Sequence, residues 1–232
     1  MTWNCRVGAF RKKAAQIAPY LPDVLVVPEC EDVRDLPELA GAAQPTSRLW
    51  FGAAGTTRGV GVFSYTGAEI SAAPTIGDPL VFFVPLEVRA ADLHFNLAAV
   101  WTAVTTDPKR RYRQAHEGLE RHRDWMAARP TVLLGDFNNA NVPLCAKLWR
   151  ELVELLEPLG FVSAYHHHRR EVYGAETSPT HFHKGEPENP WHIDYCFVPA
   201  AWAERIEDVE VGAYEAWSAY SDHVPLRVDL RV

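Results

Sequence analysis

Asp136 and Asn138 lie two residues apart in the run Val132-Leu133-Leu134-Gly135-Asp136-Phe137-Asn138-Asn139. A carboxylate and an amide at that spacing can face one small volume. Such a volume suits a hydrated divalent cation, or a water oriented by the carboxylate while the amide donates to a phosphate oxygen. The same residue types also serve commonly as a turn or as the cap of a following helix. Further candidates recur along the chain: Asn4 after Thr2-Trp3, Glu29 after Pro28, Asp194 between His192 and Cys196, and Asp222-His223 after Ser221. Each has a bland reading, such as a solvated acid at a strand end for Glu29 or a simple turn for Asp222-His223. Each also has a chemical one. An inward Asp194 needs a partner, and Asp222 beside His223 would join a metal carboxylate to a phosphate-binding imidazole whose charge is adjustable near neutral pH.

The elements that must position these residues change in kind along the chain. Residues 2–7 read as a strand carrying Asn4. Gly8 opens a helix through about Leu21, with Phe10, Ala14, Ile17, Ala18 and Leu21 on one face. Val24 to Val27 is a continuous apolar run of the kind buried on both sides of a sheet, and it delivers Glu29 to the same sheet edge as Asn4. Trp50–Gly52, Gly59–Tyr65, Leu80–Val88 and Leu93–Val104 then read as successive antiparallel strands. Gln114 to Ala128 and Leu144 to Pro158 return to helical spacing, the second with Leu144, Leu148, Leu152 and Leu155 on its buried face. Val132–Leu134 is a short buried strand, and Gly135 turns it sharply so that Asp136 and Asn138 emerge at its end. Residues 192–198 alternate as a strand, with Asp194 sharing a face with His192 and Cys196, and Val224 to Leu230 is the last strand.

Other stretches bear on the substrate. The basic run Thr105 to Arg113, read as a loop, sets Arg111 and its neighbours around Tyr112; it either holds a phosphate and stacks a base or is a solvated face. Residues 163–191 form a polar, His-rich passage read as a long loop. Three adjacent histidines, His166 to His168, cannot all face one metal from an extended segment, so the passage is expected to face substrate, with His181 as a contact. Lys plus Arg number 23 against 30 Asp plus Glu, a net charge of −7. An enzyme that tracks along a duplex needs a basic footprint, so this balance favours a small or locally gripped substrate. Cysteines at 5, 30, 145 and 196 make neither a C-x-x-C pair nor a disulfide framework, so buried free thiols are expected in place of structural zinc, with a redox role the lesser alternative. The chain shows neither an apolar run long enough for a membrane span nor a basic-then-apolar leader. The expectation is a cytoplasmic enzyme of one domain over 1–232, with no obligate protein partner.

Taken in order, Thr2-Trp3-Asn4, Pro28-Glu29, Gly135-Asp136-Phe137-Asn138, His192-Ile193-Asp194-Tyr195 and Ser221-Asp222-His223-Val224-Pro225 resemble the motifs of the endonuclease/exonuclease/phosphatase superfamily. That group includes exonuclease III-like and deoxyribonuclease-like enzymes, sphingomyelinases and inositol polyphosphate phosphatases. The resemblance implies an α/β (α+β) fold, a four-layer α-β-β-α sandwich of two packed mixed sheets. It also implies a Mg²⁺-dependent phosphoesterase, with Mn²⁺ as a substitute, in which Asn4 and Glu29 hold the metal and Asp222 lies nearby. Asp136 would orient or deprotonate the attacking water, Asn138 would donate to the phosphate, and His223, positioned by Asp194, would bind the scissile phosphate. One departure is notable. Many members carry an Asn-x-His pair or a Tyr where this chain has Ala99 and Trp101, so Trp101 either stacks on a base, closes the pocket, or is a core aromatic. The reaction expected is hydrolysis of a phosphodiester in nucleic acid or a nucleotide. Alternatives are a phosphomonoesterase acting on a small metabolite or lipid headgroup, and a non-catalytic binding protein of the same fold.

Overall fold

The computed structural model describes the chain except for residues 37, 42, 54, 74–81, 91, 103–107, 141, 142, 144 and 232, and except for the side chains of 108–112. The strands are β1 (Leu25–Cys30), β2 (Ser47–Phe51), β3 (Gly59–Ser64), β4 (Glu69–Ala72), β5 (Phe83–Ala90), β6 (Leu93–Trp101), β7 (Thr131–Asp136), β8 (Phe161–Ser163), β9 (His181–Phe182), β10 (Pro190–Trp191), β11 (Asp194–Pro199), β12 (Ile206–Val211) and β13 (Leu226–Leu230). The helices are α1 (Phe10–Lys13), α2 (Pro108–Arg121), α3 (Arg123–Ala127), α4 (Ala146–Leu156), α5 (Ala164–Arg169) and α6 (Tyr214–Trp217).

One sheet has the order β4-β5-β6-β7-β11-β8, with β6 and β7 parallel and the other pairs antiparallel. A second is built from β2-β3-β1 and the β12-β13 pair, joined through Thr2, which bridges Val26 on one side and Leu226 on the other. Strand alternation then sorts the apolar side chains into three cores. Val26, Leu97, Ala99, Val132, Leu134, Cys196 and Val198 point between the sheets. Leu25 and Val27 point the other way, onto Phe10, Ile17 and Trp217. Ala98, Val100, Leu133, Tyr195 and Phe197 face α2 and α4 through Leu119, Trp149 and Leu152. Helix, sheet, sheet, helix is therefore the layering, as the sequence motifs implied. No helix among the described residues is long and apolar enough to cross a membrane.

Several local expectations are corrected. The helix expected from Gly8 to Leu21 is α1 followed by two 3₁₀ turns, Ala14–Gln16 and Ala18–Tyr20. Pro19 supplies no N–H for an α-helical bond, and Leu21 turns left-handed (φ 44°) and ends exposed, while Phe10, Ala14, Ile17 and Ala18 are buried as expected. The strand expected over 2–7 is an extended Thr2–Cys5 segment that stops where Arg6 and Val7 turn left-handed. The passage 163–191 is not one long loop: it holds α5 and the β9-β10 hairpin. Ser163 caps α5 and bonds His166 Nδ1 at 2.8 Å, while Glu176 meets His166 Nε2 at 3.0 Å, so His166 is held internally. The basic run from 108 onward is the start of α2; residues 103–107, and the side chains of Arg111 and Tyr112, lie outside the described residues, as do Leu80 and Leu144. All four cysteines are buried free thiols, and burial pushes Cys5 up to about 12 and Cys196 up to about 11. Cys5, Cys30 and Cys196, all raised by burial, are therefore not poised for redox chemistry at neutral pH.

Gly135 sits at φ 146°, and a Cβ there would lie 1.9 Å from the carbonyl oxygen of Val100 on the neighbouring strand. Gly135→Ala should therefore destabilise the fold by about 3 kcal/mol or more, measured by denaturant unfolding. His192 is buried and held neutral, its pKa lowered by burial, with Nδ1 against the Ser178 carbonyl at 2.8 Å and Nε2 unpartnered. Protonation is thus easier in the unfolded chain, and this site's contribution is present above pH about 6.5 and is lost as pH falls below it. The stability difference between wild type and His192→Asn should shrink between pH 7.5 and 5 in the same measurement.

Candidate active site

The alternation that builds the inter-sheet core also builds the site. Val132 and Leu134 point between the sheets, so Asp136 at the end of β7 points there too. Cys196 and Val198 do the same on β11, and Asp194 continues their row. The register pairs Asp194 directly with Asp136. Two carboxylates, 0% and 1% exposed, therefore face one volume where the sheets open.

The second sheet brings the partners. β1 and β3 lose register between Val27 and Cys30, and in that bulge Glu29 adopts φ 59°. Bulges beside active sites re-aim a side chain, and Glu29 is turned toward Asn4. Asn4 Nδ2 donates to Asp136 Oδ2 at 2.9 Å and to Glu29 Oε1 at 3.4 Å, while its Oδ1 accepts from the Arg6 N–H at 2.9 Å. It therefore bridges two carboxylates with its NH₂ group, where the resemblance implied an oxygen ligand. Glu29 Oε2 accepts from the Val7 N–H at 2.8 Å and from Arg58 Nη1 at 2.6 Å. Burial works to raise the Glu29 carboxyl, but these donors hold it below its ordinary value.

Asn138 also stands differently from expectation. Its backbone N–H meets Asp136 Oδ1 at 2.8 Å, and its Nδ2 donates to Asp136 Oδ2 at 2.8 Å and to the Thr102 carbonyl at 3.0 Å. Both amide hydrogens thus hold Asp136 and the adjoining chain. Its φ of 48° is a strained conformation that folds the side chain back onto its own turn.

His223 Nδ1 lies 2.8 Å from Asp194 Oδ2. Burial alone would favour the neutral imidazole; the adjacent Asp194 outweighs it and pushes the ring up to about 9. Asp136 moves the other way in charge: burial, then the negative charge of Asp194, pushes it up to about 7. At neutral pH the arrangement offers an imidazolium donor beside a carboxyl near its midpoint. Asp222 Oδ2 is 3.4 Å from Arg6 Nε, and its backbone carbonyl accepts from Phe182 N–H at 2.7 Å. That bond and the His181–His223 bridge lay β9 along the site, with the His181 and His223 rings 4.5 Å apart.

The residues brought together are thus Asn4, Glu29, Asp136, Asn138, Asp194, Asp222, His223 and His181. Trp101 is half-buried, pairs in register with Asp136 and packs on the inter-sheet core. Thr180, Ser221 and Thr102 are supports that no motif in the sequence singled out for this task. Thr180 Oγ1 accepts from the Ile193 and Asp194 amides at 3.1 and 3.0 Å; Ser221 Oγ donates to the Asn4 carbonyl at 2.8 Å and accepts from the His223 N–H at 3.1 Å. Among the described residues two groups have ligand atoms mutually within 4.8 Å, Asp136 with Asp194 and His223, and His181 with Asp222 and His223. Asp194 Oδ1 is buried with no hydrogen-bond partner. With the carboxylates of Glu29 and Asp222 and the side-chain oxygen of Asn4 also at the site, the donor set is rich in oxygen and fits a divalent cation.

The family model for the Endonuclease/Exonuclease/phosphatase family matches residues 1–223. Among solved structures, an AP endonuclease from Leishmania major is similar over 100% of this chain and 86% of that one, with TM-score 0.74 and 16% identity. A 3'-5' exonuclease from Neisseria meningitidis is similar over 100% and 98%, with TM-score 0.70 and 21% identity. A Neisseria 3' phosphatase bound to a product DNA hairpin gives 100%, 98%, 0.71 and 20%. Among curated proteins, none matches the chain in sequence.

Asp194→Asn would remove the charge that keeps the proton on His223. The ring pKa should fall from about 9, since burial would then be opposed only by the charges of Asp136 and Asp222. Nuclear magnetic resonance titration of the imidazole ring protons would read this directly.

Proposed function

The chain belongs to the Endonuclease/Exonuclease/phosphatase family, and on that premise we propose that it hydrolyses phosphodiester bonds in nucleic acid or nucleotides. The observation that carries the reading is the buried meeting of Asp136, Asp194 and His223 within one small volume. In it, Asp136 is the base that orients and deprotonates the attacking water. A carboxyl near pH 7 is matched to that task, since it is substantially ionised at neutral pH yet basic enough to accept a proton. Asn4 and Asn138 hold both of its oxygens, so the base cannot rotate away from the water.

His223, kept protonated by Asp194, donates from Nε2 to a non-bridging oxygen of the scissile phosphate and offsets the charge that builds there. Glu29 and Asp222, with Asn4 beside Glu29, would hold a divalent cation, and the oxygen-rich donor set suits Mg²⁺ or Mn²⁺. Such a cation, when bound, supplies Lewis-acid polarisation of a phosphoryl oxygen. His181, against the His223 ring, borders the substrate, and the whole of 1–232 works as one domain. A phosphomonoesterase is the second reading. It is favoured by the net charge of −7, which suits a small substrate more than a long duplex, and the Neisseria relative described as a 3' phosphatase is compatible with it.

The test is hydrolysis of bis(p-nitrophenyl) phosphate, p-nitrophenyl phosphate and a short DNA strand, with Mg²⁺, Mn²⁺ or EDTA. Diester and DNA should be cleaved only with a divalent ion, and Asp136→Asn should lower kcat by about 10³-fold or more while the circular dichroism spectrum is kept. A monoester preference would select the second reading. Full activity in Asp136→Asn would refute both.

A further inference from the structure

Arg58 takes no part in the chemistry above, yet it makes the shortest ion pair of the site, Nη1 to Glu29 Oε2 at 2.6 Å. The fold builds this contact. Across the β1 bulge Cys30 pairs with Gly59 in an antiparallel ladder, so Arg58 stands at the ladder's end, opposite the residue after Cys30, and its side chain reaches back diagonally to Glu29. Gly59 itself is pinned, because a Cβ there would lie 2.1 Å from the Phe51 carbonyl oxygen. On its other side Arg58 continues into Gly55–Thr57, all exposed, with Gly55 at φ 78° in open space. The Arg58 side chain is thus anchored at one end and 43% exposed.

Glu29 divides its two oxygens. Oε1 faces inward to Asn4, which in turn holds Asp136; Oε2 faces the rim, to the Val7 amide and Arg58. A cation held by Glu29 and the Arg58 guanidinium compete for one negative charge, and two cations on one carboxylate repel. The released guanidinium would stand at the rim, half in water, with a planar fork of donors that matches phosphate oxygens. The scissile phosphate belongs inward, with Asp136 and His223. A further phosphate of a bound chain would pass this partly exposed rim on leaving the site.

We infer that Arg58 is an exchangeable counter-ion: it neutralises Glu29 while the cation is away, and grips a non-scissile phosphate of a nucleic-acid or nucleotide substrate once the cation holds Glu29. This rests on the phosphodiesterase reading above. It also explains how an acidic protein without a general basic footprint can grip an anionic chain locally.

Two measurements test it. The first is calorimetric titration of Mn²⁺ alone into wild type, Arg58→Ala, Arg58→Lys and Glu29→Gln. Glu29→Gln should weaken Mn²⁺ binding by about tenfold or more, and Arg58→Ala should tighten it by about threefold to tenfold, with Arg58→Lys between. The second is KM as a function of salt for a short single-stranded oligonucleotide beside bis(p-nitrophenyl) phosphate. Arg58→Ala should raise KM for the oligonucleotide by about tenfold, several times more than for the small diester, and make the salt slope shallower by about 0.7. Weaker or unchanged Mn²⁺ binding in Arg58→Ala, with Glu29→Gln still impaired, overturns the inference and leaves the phosphodiesterase reading intact, and so does an equal KM effect on both substrates. Unimpaired Mn²⁺ binding in Glu29→Gln overturns the assignment of Glu29 to the cation, and the role of Arg58 with it.

Discussion

Asp136 and Asp194 face each other across an antiparallel ladder, at the dry end of a core filled elsewhere by Val, Leu and Ala. Like charges directly opposite one another in a sheet destabilise it, and burial deepens the cost. Most of the site is an answer to this one repulsion. Asp136 is encircled by the amides of Asn4 and Asn138, and Asp194 by the imidazole of His223. The residual cost appears in the acid–base properties, with Asp136 pushed up to about 7 and His223 up to about 9. A repulsion that would be a defect in an ordinary core gives here a carboxyl near its midpoint at neutral pH beside an imidazole held protonated.

The two sheets contribute unlike things. The six-stranded sheet supplies the acid pair on neighbouring strands, where the ladder fixes their separation. The other sheet supplies Asn4, Glu29, Asp222 and His223 from an extended segment, a bulge and a strand approach, all of which depend on local backbone irregularity. Arg6, Val7, Glu29 and Asn138 are all left-handed without being glycine. Such conformations cost of order 1 kcal/mol or more each. They persist because the N–H groups they free, those of Arg6, Val7 and Asn138, bond to Asn4, Glu29 and Asp136. Strain and hydrogen bonding are coupled, and together they fix side chains that a regular strand would direct elsewhere.

Charge follows the same division. The chain carries net −7, and the site itself concentrates four carboxylates, Glu29, Asp136, Asp194 and Asp222. Among the described residues, positive groups are set among them, with His223 deep inside and Arg6 and Arg58 at the half-exposed margin.

Much of this was legible in the residues alone. The apolar run Val132–Leu134 and the alternation of residues 192–198 are one-dimensional properties, so they located both buried strands and the acids at their ends, and the five motifs in order pointed to the family and its four layers. The edge strands β4 and β12 escaped because only Ile70 and Val209 are buried in them, too weak a pattern to read. The 163–191 passage looked like a loop because its order comes from distant partners, as when Glu176 ties down His166 and Asp222 pairs with Phe182. The sequence by itself determined which side chains could do chemistry and which strands carry them, since residue type and period need no third dimension. Only the tertiary structure decided what those side chains do to one another: that Asp136 opposes Asp194, that the amides of Asn4 and Asn138 turn inward to carboxylates, and that Arg58 reaches Glu29. Those are contacts across a ladder, a bulge and a sheet-to-sheet gap, and their geometry exists only when segments far apart in the chain have packed.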